Sequence, residues 1–156
     1  MSVEIGKQAP DFELNNQDGE QVSLKDYQGK NIVLYFYPKD MTPGCTTQAC
    51  DFRDNYAEFN DLNTVILGVS PDPIEKHLKF IDKHELPFPL LVDTELKAAH
   101  LYGVWQLKKT FGKEYEGIVR STFIIDTDGV LRKEYRNLRV KNHVAETLEY
   151  IKENLL

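Results

Sequence analysis

The sequence predicts an α/β protein with a mixed central β-sheet, helices on both faces of that sheet and an extra β-hairpin at the N-terminus. Residues 31–84 alternate apolar, strand-like runs with amphipathic, helix-like stretches, a pattern typical of parallel strands joined by right-handed crossovers. Residues 121–135 instead contain two strand-like runs around Asp128-Gly129, which is a strong hairpin signal. We therefore expect parallel and antiparallel strand pairs in the same sheet.

The N-terminal part predicts a short hairpin followed by a buried strand. Two brief strand-like runs within residues 12–23 flank Asp18-Gly19, and we expect them to pair around a tight turn. Residues 31–37 form a nearly continuous apolar and aromatic run, which is typical of a central strand buried on both faces. Pro38 ends this run and begins a loop.

A helix is predicted after the loop. Apolar side chains recur at Ala49, Phe52, Tyr56 and Phe59, three or four positions apart, which is the spacing of one stripe on an amphipathic helix. Extending that stripe backwards places Cys45 on the same face. The pattern predicts one continuous helix that carries all five side chains.

The second strand–helix pair follows directly. Residues 65–69 form another apolar run and predict a strand next to the first one. Asp72, Pro73 and Glu75 then have the identities of an N-cap, a first helical residue and a capping-box partner. They predict that a helix begins at Pro73.

The remaining elements complete the plan. Residues 90–92 predict a short strand, and a helix is expected from about Asp93, closed by Gly103. A last helix follows the hairpin and carries apolar side chains on one face, at Val144, Leu148, Ile151 and Leu155. A βαβ unit followed by a hairpin and a helix is the plan of a thioredoxin-like domain.

Length and charge narrow the possible classes of protein. The chain has 156 residues, 41% hydrophobic and 28% charged, which fits one globular domain over residues 1–156. The formal net charge is −6, and basic residues form only short runs such as Lys108-Lys109. An acidic chain is not attracted to phosphate backbones, so nucleic acids and anionic membranes are not expected partners.

The expected compartment is the cytoplasm. The sequence has no apolar run of 18 residues that would predict a transmembrane helix. Residues 1–7 lack the apolar stretch of a secretory signal. Two neighbouring cysteines in a reducing compartment indicate redox chemistry or metal binding more than a structural disulfide.

Cys45 is the first candidate for that chemistry. Thr42 is a favourable N-cap and Pro43 a favourable first helical residue, so Cys45 is expected in the first turn of the helix. There it faces the positive end of the helix dipole, which favours the thiolate. The loop also leaves the carboxyl end of a central strand, where open α/β sheets bind ligands. Because a thiolate is the reactive form, Cys45 is a candidate nucleophile.

Cys50 is the second candidate. In an intact helix the Cα atoms of residues i and i+5 lie about 8–9 Å apart, whereas a disulfide requires about 4.4–6.8 Å. The spacing therefore disfavours a permanent bridge to Cys45 and suits a cycle in which the helix unwinds. The reduction of a peroxide by thiols proceeds in such ordered steps, because a sulfenic acid formed on one cysteine then condenses with a second thiol.

The two cysteines could also serve three other purposes. Zinc sites need about four ligands at close spacings, and His77, His84, His100 and His143 are scattered, so no metal is expected. A CxxC-type thiol–disulfide exchanger is disfavoured because the second cysteine follows at plus five. An inert core thiol remains compatible with the stripe position of Cys45 alone.

The residues around Cys45 resemble a known family. Residues 36–50 closely resemble the active-site stretch of the bacterioferritin-comigratory, or peroxiredoxin Q, subgroup of the peroxiredoxins. The family pattern of proline, three residues, threonine or serine, two residues and cysteine occurs here as Pro38, Thr42 and Cys45. The similarity covers nearly the whole chain and includes residues 6–14, 68–70, 103–105 and 117–129.

The resemblance implies a role for each motif residue. Cys45 would be the peroxidatic nucleophile, and Cys50 the resolving cysteine of the intramolecular type. Thr42 would donate its hydroxyl to the thiolate and peroxide, while also capping the helix as an acceptor. Pro38 would shield the site from water, and Arg120 would present its guanidinium to the thiolate and peroxide. Gln48 is an open case between an outer site residue and a solvent-facing helix residue.

The resemblance also implies an activity. A protein of the peroxiredoxin fold would reduce hydrogen peroxide or organic hydroperoxides to water or alcohols in antioxidant defence. It would need no cofactor, would be reduced by thioredoxin or a similar dithiol, and would be a monomer. The alternative is a redox-sensing binding module in which a Cys45–Cys50 disulfide switches a surface. The preferred hydroperoxide stays open, because it depends on the width of the pocket.

Overall fold

A seven-stranded mixed sheet forms the centre of the fold. The computed structural model describes residues 3–155; residues 1, 2 and 156 of the predicted domain lie outside the described part. In chain order the elements are β1 (Glu13–Asn15), β2 (Gln21–Ser23), a 3-10 helix (Leu24–Tyr27), β3 (Asn31–Phe36), α1 (Pro43–Asp54), α2 (Tyr56–Asp61), β4 (Thr64–Ser70), α3 (Ile74–His84), β5 (Leu90–Val92), α4 (Lys97–Leu101), β6 (Trp105–Thr110), β7 (Lys113–Ile118), β8 (Ser121–Ile125), β9 (Leu131–Arg136) and α5 (His143–Asn154).

The sheet contains both kinds of strand pair. Its order is β2-β1-β5-β4-β3-β8-β9. β3, β4 and β5 are parallel to one another, whereas β8 runs antiparallel to β3 and pairs with β9. The N-terminal hairpin of β1 and β2 joins the sheet through the pair Asn15 and Val92. The predicted mixed sheet with an N-terminal hairpin is confirmed.

Helices cover both faces, and β3 contributes to the core on each side. Side chains alternate along a strand, so Ile32, Leu34 and Phe36 pack on the face of α4 while Val33 and Tyr35 pack on the other. That second face carries α1, α2, α3 and α5. All six residues of β3 are buried, as expected for a central strand.

The helix expected through Phe59 is two helices instead of one. α1 ends at Asp54, and Asn55 separates it from α2. The Asn55 side chain donates its Nδ2 to the Asp51 carbonyl oxygen at 2.8 Å, which is a local bond that competes with regular helix. The apolar stripe was unaffected by this break, because Phe52 and Phe59 are both buried.

Two predicted helix starts are wrong in detail. α3 begins at Ile74 with Pro73 as its N-cap, and no capping side chain is bonded there. Asp72 accepts hydrogen bonds from the Asp40 N–H and the Ser70 hydroxyl instead, each at 2.7 Å. α4 begins only at Lys97, although the Asp93 carboxylate accepts the N–H groups of its first turn at Ala98 and Ala99.

A third hairpin, besides β1–β2 and β8–β9, was not predicted. β6 and β7 pair as a separate two-stranded sheet, with Thr110 opposite Lys113. Phe111 and Gly112 form the turn with φ values of 52° and 80°, the left-handed conformation that two-residue hairpin turns require. The strands are largely exposed and charged, so they lack the alternation of apolar residues that signals a strand. No helix in residues 3–155 is long and apolar enough to cross a membrane.

Candidate active site

The start of α1 places Cys45 in the first helical turn with its side chain buried. Thr42 is the N-cap and Pro43 occupies the first helical position, as the sequence predicted. The first helical bond runs from the Thr46 N–H to the Thr42 carbonyl at 2.8 Å. Cys45 is 1% exposed, and its side chain belongs to the core on the α1 face. The sulfur thus lies at the positive end of the helix dipole, where negative charge is stabilised.

The Thr42 hydroxyl makes a different bond from the one expected. Its Oγ1 donates to the Lys39 carbonyl oxygen at 2.8 Å. The expected capping bond, in which Oγ1 accepts a backbone N–H, does not occur. A hydroxyl has a single proton. In this structure that proton lies between Thr42 and Lys39.

Arg120 brings a positive charge to the sulfur. It lies in the link between β7 and β8, and its Nη2 is 3.3 Å from Cys45 Sγ. A fixed guanidinium beside the sulfur stabilises the thiolate and has donors left for a bound oxygen. Gly44 makes this approach possible, since a Cβ there would lie 3.2 Å from Nη2.

Gln48 holds the other side of the guanidinium. Its Oε1 accepts a hydrogen bond from Arg120 Nη1 at 2.7 Å, and its side chain is 0% exposed. The solvent-facing alternative for Gln48 is therefore wrong. Its Nε2 is buried, and nothing among residues 3–155 pairs with it. The available signal was its position one turn after Cys45, which places both side chains on one helix face.

A buried polar network fixes the loop of residues 38–42. Pro38 is half-buried at the start of this loop. The Asp40 N–H donates to Asp72, while its carboxylate accepts the Tyr37 hydroxyl at 2.5 Å and contacts His77 Nδ1 at 2.6 Å. His77 Nε2 lies 2.9 Å from the Leu91 carbonyl. A carbonyl only accepts, so Nε2 carries a proton, and a further proton is shared between Nδ1 and Asp40.

Cys50 lies in the second half of α1, half-buried. Its Sγ is 3.8 Å from His84 Nδ1 at the end of α3. Both cysteines are free and α1 is continuous between them, so the geometry is that of the reduced protein. Their separation along an intact helix is too long for a bridge.

The comparisons with known proteins agree with this geometry. The AhpC/TSA family model matches residues 5–134. Peroxiredoxin Bcp from Bacillus subtilis is 63% identical over 153 residues, covering 98% of each chain, and Peroxiredoxin Bcp from Escherichia coli is 43% identical over 152 residues, covering 97% of each. The chain is a peroxiredoxin of the AhpC/TSA family. It is a thiol peroxidase, and enzymes of this family use peroxides as substrates and thioredoxin-type dithiols as reductants.

Solved structures of peroxiredoxins support the same assignment. The bacterioferritin comigratory protein of Xanthomonas campestris, described for its alkyl peroxide reduction activity, superposes with a TM-score of 0.90 at 34% identity, covering 96% of this chain and 98% of that chain. A Xylella fastidiosa PrxQ mutant gives a TM-score of 0.92 at 30% identity, covering 98% of both chains. The thioredoxin-like peroxiredoxin fold is thereby confirmed.

Two neighbours of the site in this peroxiredoxin carry no charge near neutral pH. Burial raises the pKa of Tyr35 well above its ordinary value, and the nearby Cys45 and Asp40 raise it further. Burial and, to a smaller degree, the charge of Arg120 lower the pKa of His143 to about 4. His143 adds no positive charge, and Arg120 supplies the charge that faces Cys45.

Proposed function

We propose that Cys45 is the peroxidatic nucleophile of this peroxiredoxin and that Cys50 resolves the oxidised product as an intramolecular disulfide. The observation that carries the proposal is the 3.3 Å contact between Arg120 Nη2 and the buried Cys45 sulfur. A free thiol that only packs in a core needs no guanidinium, and a redox-sensing surface needs no buried charge at its first cysteine. A nucleophile that must be ionised before substrate arrives needs both.

In the first step the Cys45 thiolate attacks the nearer oxygen of the hydroperoxide. The S–O bond forms as the O–O bond breaks, and the departing oxygen takes the proton of the attacked O–H group and leaves as water or an alcohol. Cys45 is left as a sulfenate, which takes a proton from solvent to become the sulfenic acid. Negative charge grows on that oxygen in the transition state, and Arg120 donors stabilise it. Thr42 Oγ1 donates its proton to the Lys39 carbonyl oxygen, so towards the incoming peroxide O–H it offers only lone pairs. Pro38 shields one side of the site from water.

In the second step the Cys50 sulfur attacks the Cys45 sulfenic acid. Because residues i and i+5 lie about 8–9 Å apart in a helix, the first turns of α1 have to unwind before the sulfurs can bond. A disulfide then forms and water leaves. A thioredoxin-type dithiol reduces that disulfide and returns α1 to its helical form.

The proposal also covers the oligomeric state, the compartment, the substrates and the partners of the protein. We propose that residues 1–156 act as a single monomeric domain in the cytoplasm, with organic hydroperoxides as well as hydrogen peroxide as substrates. Support for alkyl peroxides comes from the Xanthomonas campestris relative. A formal net charge of −6 supports the absence of nucleic acid and membrane partners.

Intact mass before and after one equivalent of hydrogen peroxide tests the residue roles. We expect the loss of two hydrogens within seconds, with peptide mapping that assigns a Cys45–Cys50 bond. Cys50→Ser is the matched variant, and it should gain one oxygen on Cys45 and form no internal disulfide. A wild-type protein that is oxidised only over many minutes would contradict the peroxidase roles and favour the redox-sensing module.

A further inference from the structure

The two reacting cysteines have unequal means of losing a proton. Cys45 has the helix N-terminus and Arg120, as described above. Cys50 lies in the second half of α1, beyond the first turn in which the helix dipole acts. The resolving step nevertheless needs a thiolate, because a thiol is a poor nucleophile. Cys50 therefore requires a nearby group that accepts its thiol proton.

His84 stands at the position where such a group would act. Its Nδ1 is 3.8 Å from Cys50 Sγ, which is within hydrogen-bond range for sulfur. In the tautomer with the proton on Nε2, Nδ1 has a lone pair that accepts the thiol proton. Phe80 packs edge-on against the ring, with centroids 5.4 Å apart, and limits how it can turn.

The backbone of His84 is tied to the same helix as Cys50. Arg53 Nη1 donates to the His84 carbonyl oxygen at 2.8 Å. Arg53 follows Cys50 by three residues, so the contact fixes the end of α3 against the helical turn that carries the thiol. Two independent contacts therefore hold the imidazole beside the sulfur, namely the packing of Phe80 against the ring and the Arg53 bond to the His84 backbone.

One guanidinium and two carboxylates lie around this pair. On α1 they are Arg53 and Asp54, which are joined by a 3.0 Å hydrogen bond, and Glu85 follows directly after α3. From β3 the Tyr35 phenol also lies near Cys50, and burial keeps it in its neutral form. The Arg53 guanidinium offsets the negative charge that a Cys50 thiolate would carry.

We propose that His84 is the general base of the resolving step, a role that rests on the proposed disulfide between Cys45 and Cys50. His84 Nδ1 takes the proton from the Cys50 thiol. The resulting thiolate attacks the Cys45 sulfenic sulfur, the S–S bond forms and the S–O bond breaks. The oxygen leaves with the proton from His84 as water, so no further oxidant or reductant is consumed in this step.

The size of the effect follows from ordinary thiol chemistry. A thiol that titrates near about 8.5 is only about 3% ionised at pH 7. A base that ionises it fully can speed the attack by up to about thirtyfold. We therefore expect His84→Gln to slow disulfide closure about ten- to thirtyfold at pH 7 and to lose this deficit above about pH 9, where a thiol ionises unaided.

Rapid-mixing single turnover tests this role. Protein is mixed with one equivalent of hydrogen peroxide at pH 6 to 10 and quenched, and sulfenic acid and disulfide are counted by intact mass. His100→Gln, at an exposed histidine of α4, is the matched control and should behave like the wild type. Oxidation of Cys45 should proceed at the wild-type rate in both variants.

The outcomes separate this inference from the proposed function. A wild type that never forms a Cys45 sulfenic acid or a disulfide overturns the proposed function itself. Wild-type closure in His84→Gln at every pH, or a deficit that is the same at every pH, overturns the base role while leaving the peroxidase intact. His84→Ala gives a second readout, because added imidazole should restore its closure rate; no restoration would also count against the base role.

Discussion

The two ends of α1 hold chemically identical thiols in different surroundings. The first turn buries Cys45 against the Arg120 guanidinium at the positive end of the helix. Five residues later, Cys50 is half-buried beside an imidazole and lies beyond the first turn of the helix. The first environment places a fixed positive charge beside a sulfur, whereas the second places a proton acceptor beside one. The difference suits a cycle in which Cys45 reacts with peroxide first and Cys50 reacts only after Cys45 has been oxidised.

The two ends are also held to the protein by different contacts. The 38–42 loop before α1 is fixed by the buried Asp40 and Asp72 bonds, and the far end of the helix is fixed through Arg53 and His84. The first turns of α1 lie between these anchors, and they are the part that unwinds in the proposed cycle. Anchors on both sides let that segment change while the rest of the fold keeps its place.

Removing one sulfur at a time should give the largest effects and should separate the roles of the two cysteines. Cys45→Ser should abolish turnover with every hydroperoxide, because no other group in the described site combines burial, a helix N-terminus and a guanidinium. Cys50→Ser should keep one stoichiometric oxidation of Cys45 and lose only repeated turnover. Peroxide consumption in a coupled assay with thioredoxin measures both. Appreciable turnover in Cys45→Ser would show that the nucleophile has been misassigned.

Arg120→Met should give the next largest effect. Losing a fixed donor to the transition-state oxygen costs about 10²–10³-fold in rate, and the charge that favours the thiolate is lost as well. The second-order rate constant of Cys45 oxidation measures this, with Arg139→Met at an exposed arginine as control. Thermal unfolding should change little by comparison. An unchanged oxidation rate would make Arg120 a bystander.

The sequence predicted the layered fold well because its central elements are strongly patterned. β3 and β4 are apolar runs, and the Asp128-Gly129 turn favours one hairpin geometry. The failures have a common origin in polar side chains that bond across the sequence. Asp72 looked like a helix cap but binds Asp40, a partner 32 positions away that no local pattern reveals. The hairpin of β6 and β7 was missed since its exposed strands carry no apolar alternation.

The site was predicted to the extent that it lies in one contiguous motif. Thr42, Pro43 and Cys45 have the expected helical positions because capping preferences are local. Arg120 came from the resemblance alone, as a link residue 75 positions from Cys45. The bond from Thr42 to Lys39, the bond from Gln48 to Arg120 and the contact of His84 with Cys50 depend on side-chain packing, which residue types and spacing do not encode.

Gln48→Leu should have a smaller effect that tests how the first environment is built. The substitution removes the acceptor for Arg120 Nη1 and also the unpaired Nε2. Because a hydrogen bond to a charged group contributes about 1.5–3 kcal/mol, only part of which aligns the guanidinium, we expect Cys45 oxidation to slow about fivefold. Unfolding stability should stay near the wild-type value, since the penalty of burying Nε2 disappears.

Gln48→Glu separates alignment from charge at the same position. It keeps an acceptor for Arg120 but places a negative charge beside the guanidinium, which reduces the positive field at Cys45. Oxidation rates measured from pH 5 to pH 9 should show the Glu variant deficient at low pH and recovering as pH rises. If Leu and Glu behave alike across that range, Gln48 does not act through Arg120.

His143 provides a test that is measured by folding stability instead of by reaction rate. Its ring packs edge-on against Phe52 of α1 with centroids 6.4 Å apart, and its Nε2 lies 2.9 Å from the Thr122 hydroxyl. Its pKa is lowered on folding from 6.5 to about 4, first by burial and then by Arg120. The unfolded chain therefore binds more protons between these two values. Stability is complete above about pH 6.5 and is lost as pH falls toward 4.

The loss has an upper limit set by linkage. A shift from 6.5 to about 4 corresponds to about 3 kcal/mol of unfolding free energy, and urea unfolding at pH 7 and pH 4.5 should show most of it in the wild type but not in His143→Gln. In Arg120→Met the pKa of His143, followed by NMR, should rise only slightly, because burial is unchanged. A return to 6.5 would mean that the field of Arg120, and not the packing of α5 against α1, keeps this imidazole neutral. The Arg120 guanidinium would then act on His143 as well as on Cys45.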